Sequence, residues 1–294
     1  EEFLVGLAFG ALDLTPQILS ENIIAICKEK GWEYTMTNAD QDPSKLLSDV
    51  EALCQLGCDV ICVRGITDDS MTPVQEACKE AGIPLIALSV VDQDGEYLTL
   101  CCDTTEAGAD ACAEWYAQYI QDHPDQEYNA GFVVGDYSFE AALCRWTYVR
   151  DVEGSNELAN GEANWGAPNA MTLVEDWIKT YPEMNVIGSS SDEMTVGVIQ
   201  ALQDAGKSPD DYIVMSYDAL DIMQDYILEG WCDASVGLDL EKHARTVCDI
   251  LQKVKDGDTS SVEKLTKAYS IWMCTSENLQ GILDGTAEKV YYEY

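Results

Sequence analysis

An α/β protein built from two doubly wound parallel-sheet lobes is predicted, on three observations. At 294 residues the chain is about twice the usual length of a single domain. Short β-branched runs alternate with amphipathic stretches, the pattern of parallel strands joined by crossover helices. Gly31, Gly57 and Gly82 each close a predicted helix immediately before a predicted strand, where a left-handed cap costs glycine least.

The first series starts with the apolar run 3–9 as strand, followed by the amphipathic stretch Pro16–Lys30 as helix, which Gly31 closes. Glu33–Thr37 reads as strand, Pro43–Leu56 as helix up to Gly57, Asp59–Val63 as strand, Met71–Ala81 as helix up to Gly82, and Ile83–Leu88 as strand. A second series repeats the rhythm. It runs through strand Tyr97–Cys101, helix Thr105–Gln121, strand Ala130–Val134, helix Phe139–Val149 and a strand around Glu157–Gly161. It continues with helix Ala167–Tyr181, strand Val186–Ser189, helix Glu193–Ala205, strand Tyr212–Ser216, helix Leu220–Leu228 and strand Asp233–Gly237. A long helix, Glu241–Val254, precedes a last strand near Tyr269–Cys274, which suits the sheet of the first lobe better than that of the second. Ligands of open α/β sheets sit outside the carboxyl ends of the strands, so two such sheets facing each other would form a cleft for a small molecule.

Composition removes several functions. With 16 Lys and Arg against 54 Asp and Glu, the net charge is −38, and such a chain repels a phosphate backbone instead of neutralising it. The apolar fraction of 47% belongs to a folded protein with an acidic surface, and no apolar run approaches the roughly 18 residues that span a bilayer. Twelve cysteines would suit a disulfide scaffold only in a much shorter chain. There is no Cys-x-x-Cys pair, and only His123 and His243 could complete a zinc site, so no metal is expected. Most cysteines fall on apolar positions of the predicted elements and read as buried free thiols.

The glycine pattern of a dinucleotide site, the phosphate loop and the nucleophile elbow are all missing; the first turn reads Gly6-Leu-Ala-Phe-Gly10-Ala-Leu-Asp13. No cofactor is expected. Acidic pairs such as Asp68-Asp69, Asp192-Glu193 and Asp210-Asp211 could be drawn as general acid and base, but among 54 carboxylates they read as solvated faces or helix caps. An enzyme is therefore not the expected class.

Several stretches carry a family resemblance: Ala-Gly-Ile-Pro at 81–84, Asn38-Ala-Asp-Gln-Asp-Pro43, Asp103-Thr-Thr-Glu-Ala-Gly108 and Ser191-Asp192-Glu193-Met194 running on to Gly206. With Tyr212-Ile-Val-Met-Ser-Tyr-Asp218 and Glu229-Gly-Trp-Cys-Asp-Ala234, they resemble the ribose- and galactose-binding proteins of the type I periplasmic binding protein family, up to about Gly257. The resemblance implies a Venus flytrap. Two lobes joined by a three-segment hinge close over a sugar and deliver it to an ABC permease. Residues 1–103 with 238–274 would form one lobe, and 104–237 with 275–294 the other.

The resemblance also implies site positions. The loop after the first strand offers Phe9, Asp13 and Thr15. The family's polar pair after the fourth strand falls on Ser89 and Val90, and its sugar-gripping arginine falls near Leu143, two residues before Arg145. Its aromatic wall matches Trp165, its asparagine before Asp-Glu-Met is Ser191, its aspartate after the ninth strand is Asp218, and its polar hinge residue is Leu238. Arg64, ending the third strand, could replace an absent arginine.

Trp165 would stack on a ring face while Asp13 and Asp218 accept hydroxyls. Apolar Val90, Leu143 and Leu238 suit a deoxy, methylated or flatter ligand. Each position also has a structural reading: Trp165 as a plug between lobes, Arg145 as ion-pair partner of Glu140 or Asp151, and Asp218 as cap of the next helix. Trp115, Trp146, Trp177, Trp231 and Trp272 read as core.

The expected function is capture of a sugar or sugar-like molecule outside the cell by a monomer that serves an ABC importer. A sensory domain for a membrane kinase or chemoreceptor, or a binder of a nucleoside, would use the same fold. A start at Glu1-Glu2 is compatible with removal of a lipidated leader, so periplasm and lipid-anchored cell surface are both expected locations.

Overall fold

The computed structural model describes residues 2–89, 95–102 and 105–292. In chain order its first elements are β1 (Leu4–Phe9), α1 (Leu14–Lys30), β2 (Glu33–Asn38), α2 (Pro43–Leu56), β3 (Val60–Arg64), α3 (Asp68–Ala81), β4 (Leu85–Ala87) and β5 (Thr99–Cys101). Then follow α4 (Thr105–Asp122), β6 (Tyr128–Val134), α5 (Glu140–Arg150), β7 (Ser155–Glu162), α6 (Ala167–Thr180), β8 (Val186–Ser189), α7 (Asp192–Asp204), β9 (Ile213–Asp218) and α8 (Asp221–Leu228). The chain ends with β10 (Ala234–Leu238), α9 (Leu240–Lys255), β11 (Leu265–Thr266), β12 (Ile271–Thr275) and α10 (Ser276–Leu283).

These elements form two compact units, Glu1–Thr104 with Asp239–Ser270 and Thr105–Leu238 with Ile271–Tyr294. The sheet of the first unit runs β11-β5-β4-β3-β1-β2 and that of the second β12-β10-β9-β8-β6-β7. With the outermost β11 and β12 set aside, both sheets have the same order: second, first, third, fourth, fifth strand. In that order the connections diverge between the first and third strands, β1 and β3 in one sheet and β6 and β8 in the other, and the loops beyond those carboxyl ends are where a ligand fits.

The two series of βα units are thus two doubly wound parallel sheets. Gly31, Gly57 and Gly82 end α1, α2 and α3 with φ of 67°, 82° and 71°, the left-handed cap expected of them. Along the second sheet the apolar period of two feeds a core on each face. Phe132, Val186 and Met215 pack with Cys112 and Tyr116, while Val133, Ile187 and Val214 pack with Val174, Met194, Val198 and Leu202. In the first unit Leu46, Val50 and Leu53 of α2 and Met71, Val74 and Cys78 of α3 cover Ile61 and Val63. Ten of the twelve cysteines are buried and all are free thiols. No helix among the described residues is long and apolar enough to cross a membrane.

The last strand departs from expectation. Instead of joining the first sheet, β12 lies in the second, antiparallel to β10, with Met273 opposite Val236 and Trp272 opposite Gly237. Two local causes are visible. The edge of the first sheet is occupied by β11, whose Leu265 and Thr266 pair with Leu100 and Cys101. Gly237 has no side chain, and the Trp272 ring fills the place where a Cβ would stand only 2.1 Å from its nitrogen. Neither β11 nor α10 is anticipated by the sequence: two residues carry no period, and α10 is a short, largely polar helix started by the Thr275 and Asn278 capping box.

Candidate ligand-binding site

In the second unit the turn after β7, the helix α5 that follows β6 and the end of β9 bring an aromatic ring, a cation and a carboxylate, in that order, to the carboxyl side of the sheet. Arg145, on α5, donates from Nη1 to the carbonyl of Ser190 just past β8 at 2.6 Å. The same nitrogen lies 3.7 Å from Asp218 Oδ1 at the end of β9, and the guanidinium carbon lies 4.7 Å from the centre of the Tyr217 ring. The Tyr217 hydroxyl donates back to the Arg145 carbonyl at 3.4 Å. Burial pushes the Tyr217 phenol well up, so it serves as a neutral platform for the cation. The Arg145 and Asp218 side chains are 18% and 8% exposed, enough to leave the guanidinium reachable and too little for water to screen the pair fully.

Trp165 stands in the turn between β7 and α6. Its φ of 58° follows 48° at Asn164, and the turn is closed by Gly166 N donating to the Ala163 carbonyl at 3.0 Å and by Asn169 Nδ2 donating to the same oxygen at 2.9 Å. The indole lies over Gly135, after β6, where a Cβ would come within 2.5 Å of the ring, and Phe139 meets it edge-on at 6.1 Å. Only glycine at 135 admits the ring there. Trp165 remains half-buried, with part of it free to pack on another group.

Ser191 caps α7, its Oγ accepting from Met194 N at 3.3 Å. Behind it sits Asp192, which has no solvent exposure at all and accepts from Ser216 Oγ, Ser235 Oγ and Leu220 N at 2.6, 2.8 and 2.6 Å. Burial, and after it the neighbouring Asp218 carboxylate, push the Asp192 carboxyl up from the ordinary range. The reading of Asp192-Glu193 as a solvated pair is corrected for its first member, because hydroxyls inside β9 and β10 give that carboxylate an interior set of partners.

The other sequence candidates of this unit are placed less directly. Leu143 is half-buried on α5, about 200° around the helix from Arg145. Leu238 ends β10 and is half-buried. The ion-pair alternatives resolve clearly: Arg150 takes Asp151, with Nε to Oδ1 at 2.7 Å, while Arg145 faces Asp218. The cap of α8 is Leu220, not Asp218. Tyr217, Phe139 and Asp192 join the candidate site without having been singled out for it; for Asp192 the available signal was the pair of serines, Ser216 and Ser235, at buried positions of β9 and β10.

In the first unit the loop after β1 is tied to its neighbours, Gly10 N donating to the Arg64 carbonyl and Gln41 N to the Gly10 carbonyl, each at 2.8 Å. Phe9 is fully buried, Asp13 is exposed just before α1, and Thr15 and Arg64 are half-buried. Ser89, after β4, has a buried Oγ without a hydrogen-bond partner among the described residues. Val90 lies outside the described residues. Among the described residues no group of three or more His, Cys, Asp and Glu side chains is placed to hold a metal ion.

A family model described as periplasmic binding protein domain matches residues 16–259. The ribose import binding protein of Bacillus subtilis is 22% identical over 222 residues, covering 74% of this chain and 70% of that protein. Among solved structures, a Mycobacterium smegmatis protein in complex with β-D-fucofuranose superposes with a TM-score of 0.87 at 19% identity, over 96% of this chain and 94% of the other. An ABC transporter solute binding protein from Bacillus halodurans C-125 with bound myo-inositol gives 0.85 at 20% identity, over 97% and 98%. The two-sheet architecture of the chain is that of these structures, and with the family model spanning most of its length the chain belongs to the periplasmic binding protein domain family.

Proposed function

We propose that the protein captures a sugar or sugar-like small molecule outside the cell and delivers it to an ABC permease, as a monomer, without making or breaking a bond in it. The observation that carries this reading is the Arg145–Asp218 pair at the strand ends of the second unit, with Trp165 laid over Gly135 beyond the end of β6 in the same sheet. A sugar or cyclic polyol offers an apolar ring face and a rim of hydroxyls. Trp165 supports the face, Arg145 donates to the rim and Asp218 accepts from it. Within the first unit taken by itself, Asp13, Arg64 and Ser89 are the candidate ligand partners, and the Ser89 hydroxyl is suited to a ligand hydroxyl because a buried polar group left unpaired costs about 1–3 kcal/mol. Half-buried Leu238 at the end of β10 favours a ligand with fewer hydroxyls than a hexose, whereas Leu143 stands on a different face of α5 from Arg145.

The relatives lend support: one is named for ribose import, and two of the similar structures hold a furanose and an inositol. Thermal unfolding against pentoses, hexoses, deoxysugars, polyols and nucleosides tests the reading. A true ligand at 100 times its Kd stabilises by about 2.7 kcal/mol and raises Tm by roughly 5–10 °C. A shift with nucleosides alone moves the ligand class away from sugars, and no shift with any sugar or polyol defeats the proposal.

A further inference from the structure

We propose that Asp192 is a positioning residue of the binding site, fixing the backbone at 218–220 so that the Asp218 carboxylate faces Arg145. The inference rests on the ligand-binding reading above and adds to it a residue that touches no ligand. Asp192 Oδ2 accepts from Leu220 N at 2.6 Å, and its Oδ1 accepts from Ser235 Oγ at 2.8 Å. Ser235 Oγ in turn accepts from Ala219 N at 3.0 Å. Two successive amides after β9 thus end on one buried carboxylate, one directly and one through a serine.

The same stretch carries the most unusual backbone of the site, with φ of 105° at Asp218 and 46° at Ala219. Residues with a Cβ persist in that region only where their surroundings over-determine the conformation. Without the turn, the chain leaving β9 for α8 would aim Asp218 elsewhere; with it, Oδ1 comes to 3.7 Å from Arg145.

Shape matters here more than charge. From Asp192 Oδ1 a line of oxygens runs through Ser216 Oγ at 2.6 Å and Thr195 Oγ1 at a further 2.7 Å to the Ser191 carbonyl at 2.8 Å. A protonated carboxyl can donate along that line, Ser216 to Thr195 and Thr195 to the carbonyl, while Oδ2 still accepts from Leu220. An asparagine fits the same way, its amide nitrogen replacing Oδ1. Alanine has nothing to offer Leu220 or Ser235.

The test compares D192A, D192N and S235A in the whole protein. The first readout needs no ligand: amide hydrogen exchange at Ala219 and Leu220. D192A should speed exchange at Leu220 by about 100-fold, S235A should do so at Ala219, and D192N should leave both within about threefold of the parent. The second readout is calorimetric titration with D-ribose and with myo-inositol. D192A should weaken whichever binds by at least about tenfold, S235A by about three- to tenfold, and D192N should rescue it.

Unchanged exchange at 219–220 in D192A, or lost protection with undiminished sugar affinity, overturns the proposal. If D192A does not fold, S235A decides by the same two criteria. If neither compound binds the parent protein, the ligand class is at fault, and the exchange data alone judge the clamp.

Discussion

Replacing Arg145 with methionine removes a cation that the second unit places against Asp218, while keeping an apolar stem over Tyr217. At the observed 3.7 Å the pair attracts by about 4.5 kcal/mol at an effective dielectric of ~20. The charge-assisted bond to the Ser190 carbonyl, at 2.6 Å, adds about 1.5–3 kcal/mol. Against these stands the desolvation of both groups, and removing one partner of a buried pair typically costs about 3–5 kcal/mol. Because the guanidinium keeps some solvent contact, the expected loss in R145M is about 2–4 kcal/mol. Urea unfolding of the ligand-free protein, followed by tryptophan fluorescence, measures it. D218N is the complementary change, since asparagine tolerates the left-handed backbone at 218. In the double variant the coupling energy should be at least about 1 kcal/mol, with D218N recovering part of what R145M loses. Additivity of the two single changes within about 0.5 kcal/mol would show that the two side chains do not act on each other, and the account of the site would fail.

Gly135→Ala should weaken sugar binding by about tenfold with little change in far-UV circular dichroism, because its methyl group would stand 2.5 Å from the Trp165 ring and displace it; titration at unchanged affinity would show that the indole is not used. Asp233 is held by Val214 N at 2.8 Å, and burial pushes its carboxyl up to about 6. A carboxyl whose folded pKa is raised contributes most stability below its unfolded value near 4 and loses that contribution as pH climbs through 6. Between pH 4 and 7 the parent should therefore lose about 2 kcal/mol relative to D233N, and parallel stability curves would refute this. Cys54 and Cys144 are the two of the twelve thiols that are not buried. A disulfide reagent should label at most these two in the native protein and all twelve after unfolding, with Cys144 slow because burial pushes its thiol up to about 11.

The sequence reveals the fold where local pattern decides it and hides what depends on pairing at a distance. Helices closed by Gly31, Gly57 and Gly82 and strands of apolar residues are readable one segment at a time. The sheet that β12 joins is not, because Ile271–Thr275 is apolar enough for either and what distinguishes them lies elsewhere in the chain, in β11 at the edge of the first sheet and in Gly237, thirty-five positions before Trp272. The same division runs through the site. Trp165 and Asp218 were legible because a short, ordered motif leads to each. The likeness aligns the family's arginine with Leu143, two residues before Arg145, and two residues on a helix are a turn of about 200°, so the two candidates stand on different faces of α5. Asp192 was read as one acid among 54, since nothing near it in the chain announces burial. Its partners Ser216 and Ser235 sit at buried positions of two later strands, and a polar side chain at a core position of a strand is itself the signal that a buried partner exists elsewhere. Two such residues, Ser216 and Ser235, both without solvent exposure, bond that single carboxylate directly, and buried Thr195 of α7 bonds Ser216 in turn. In an acidic chain the informative carboxylate is therefore the one for which the sequence sets aside hydroxyls in its strands, and that criterion separates Asp192 from the acids that only cover the surface.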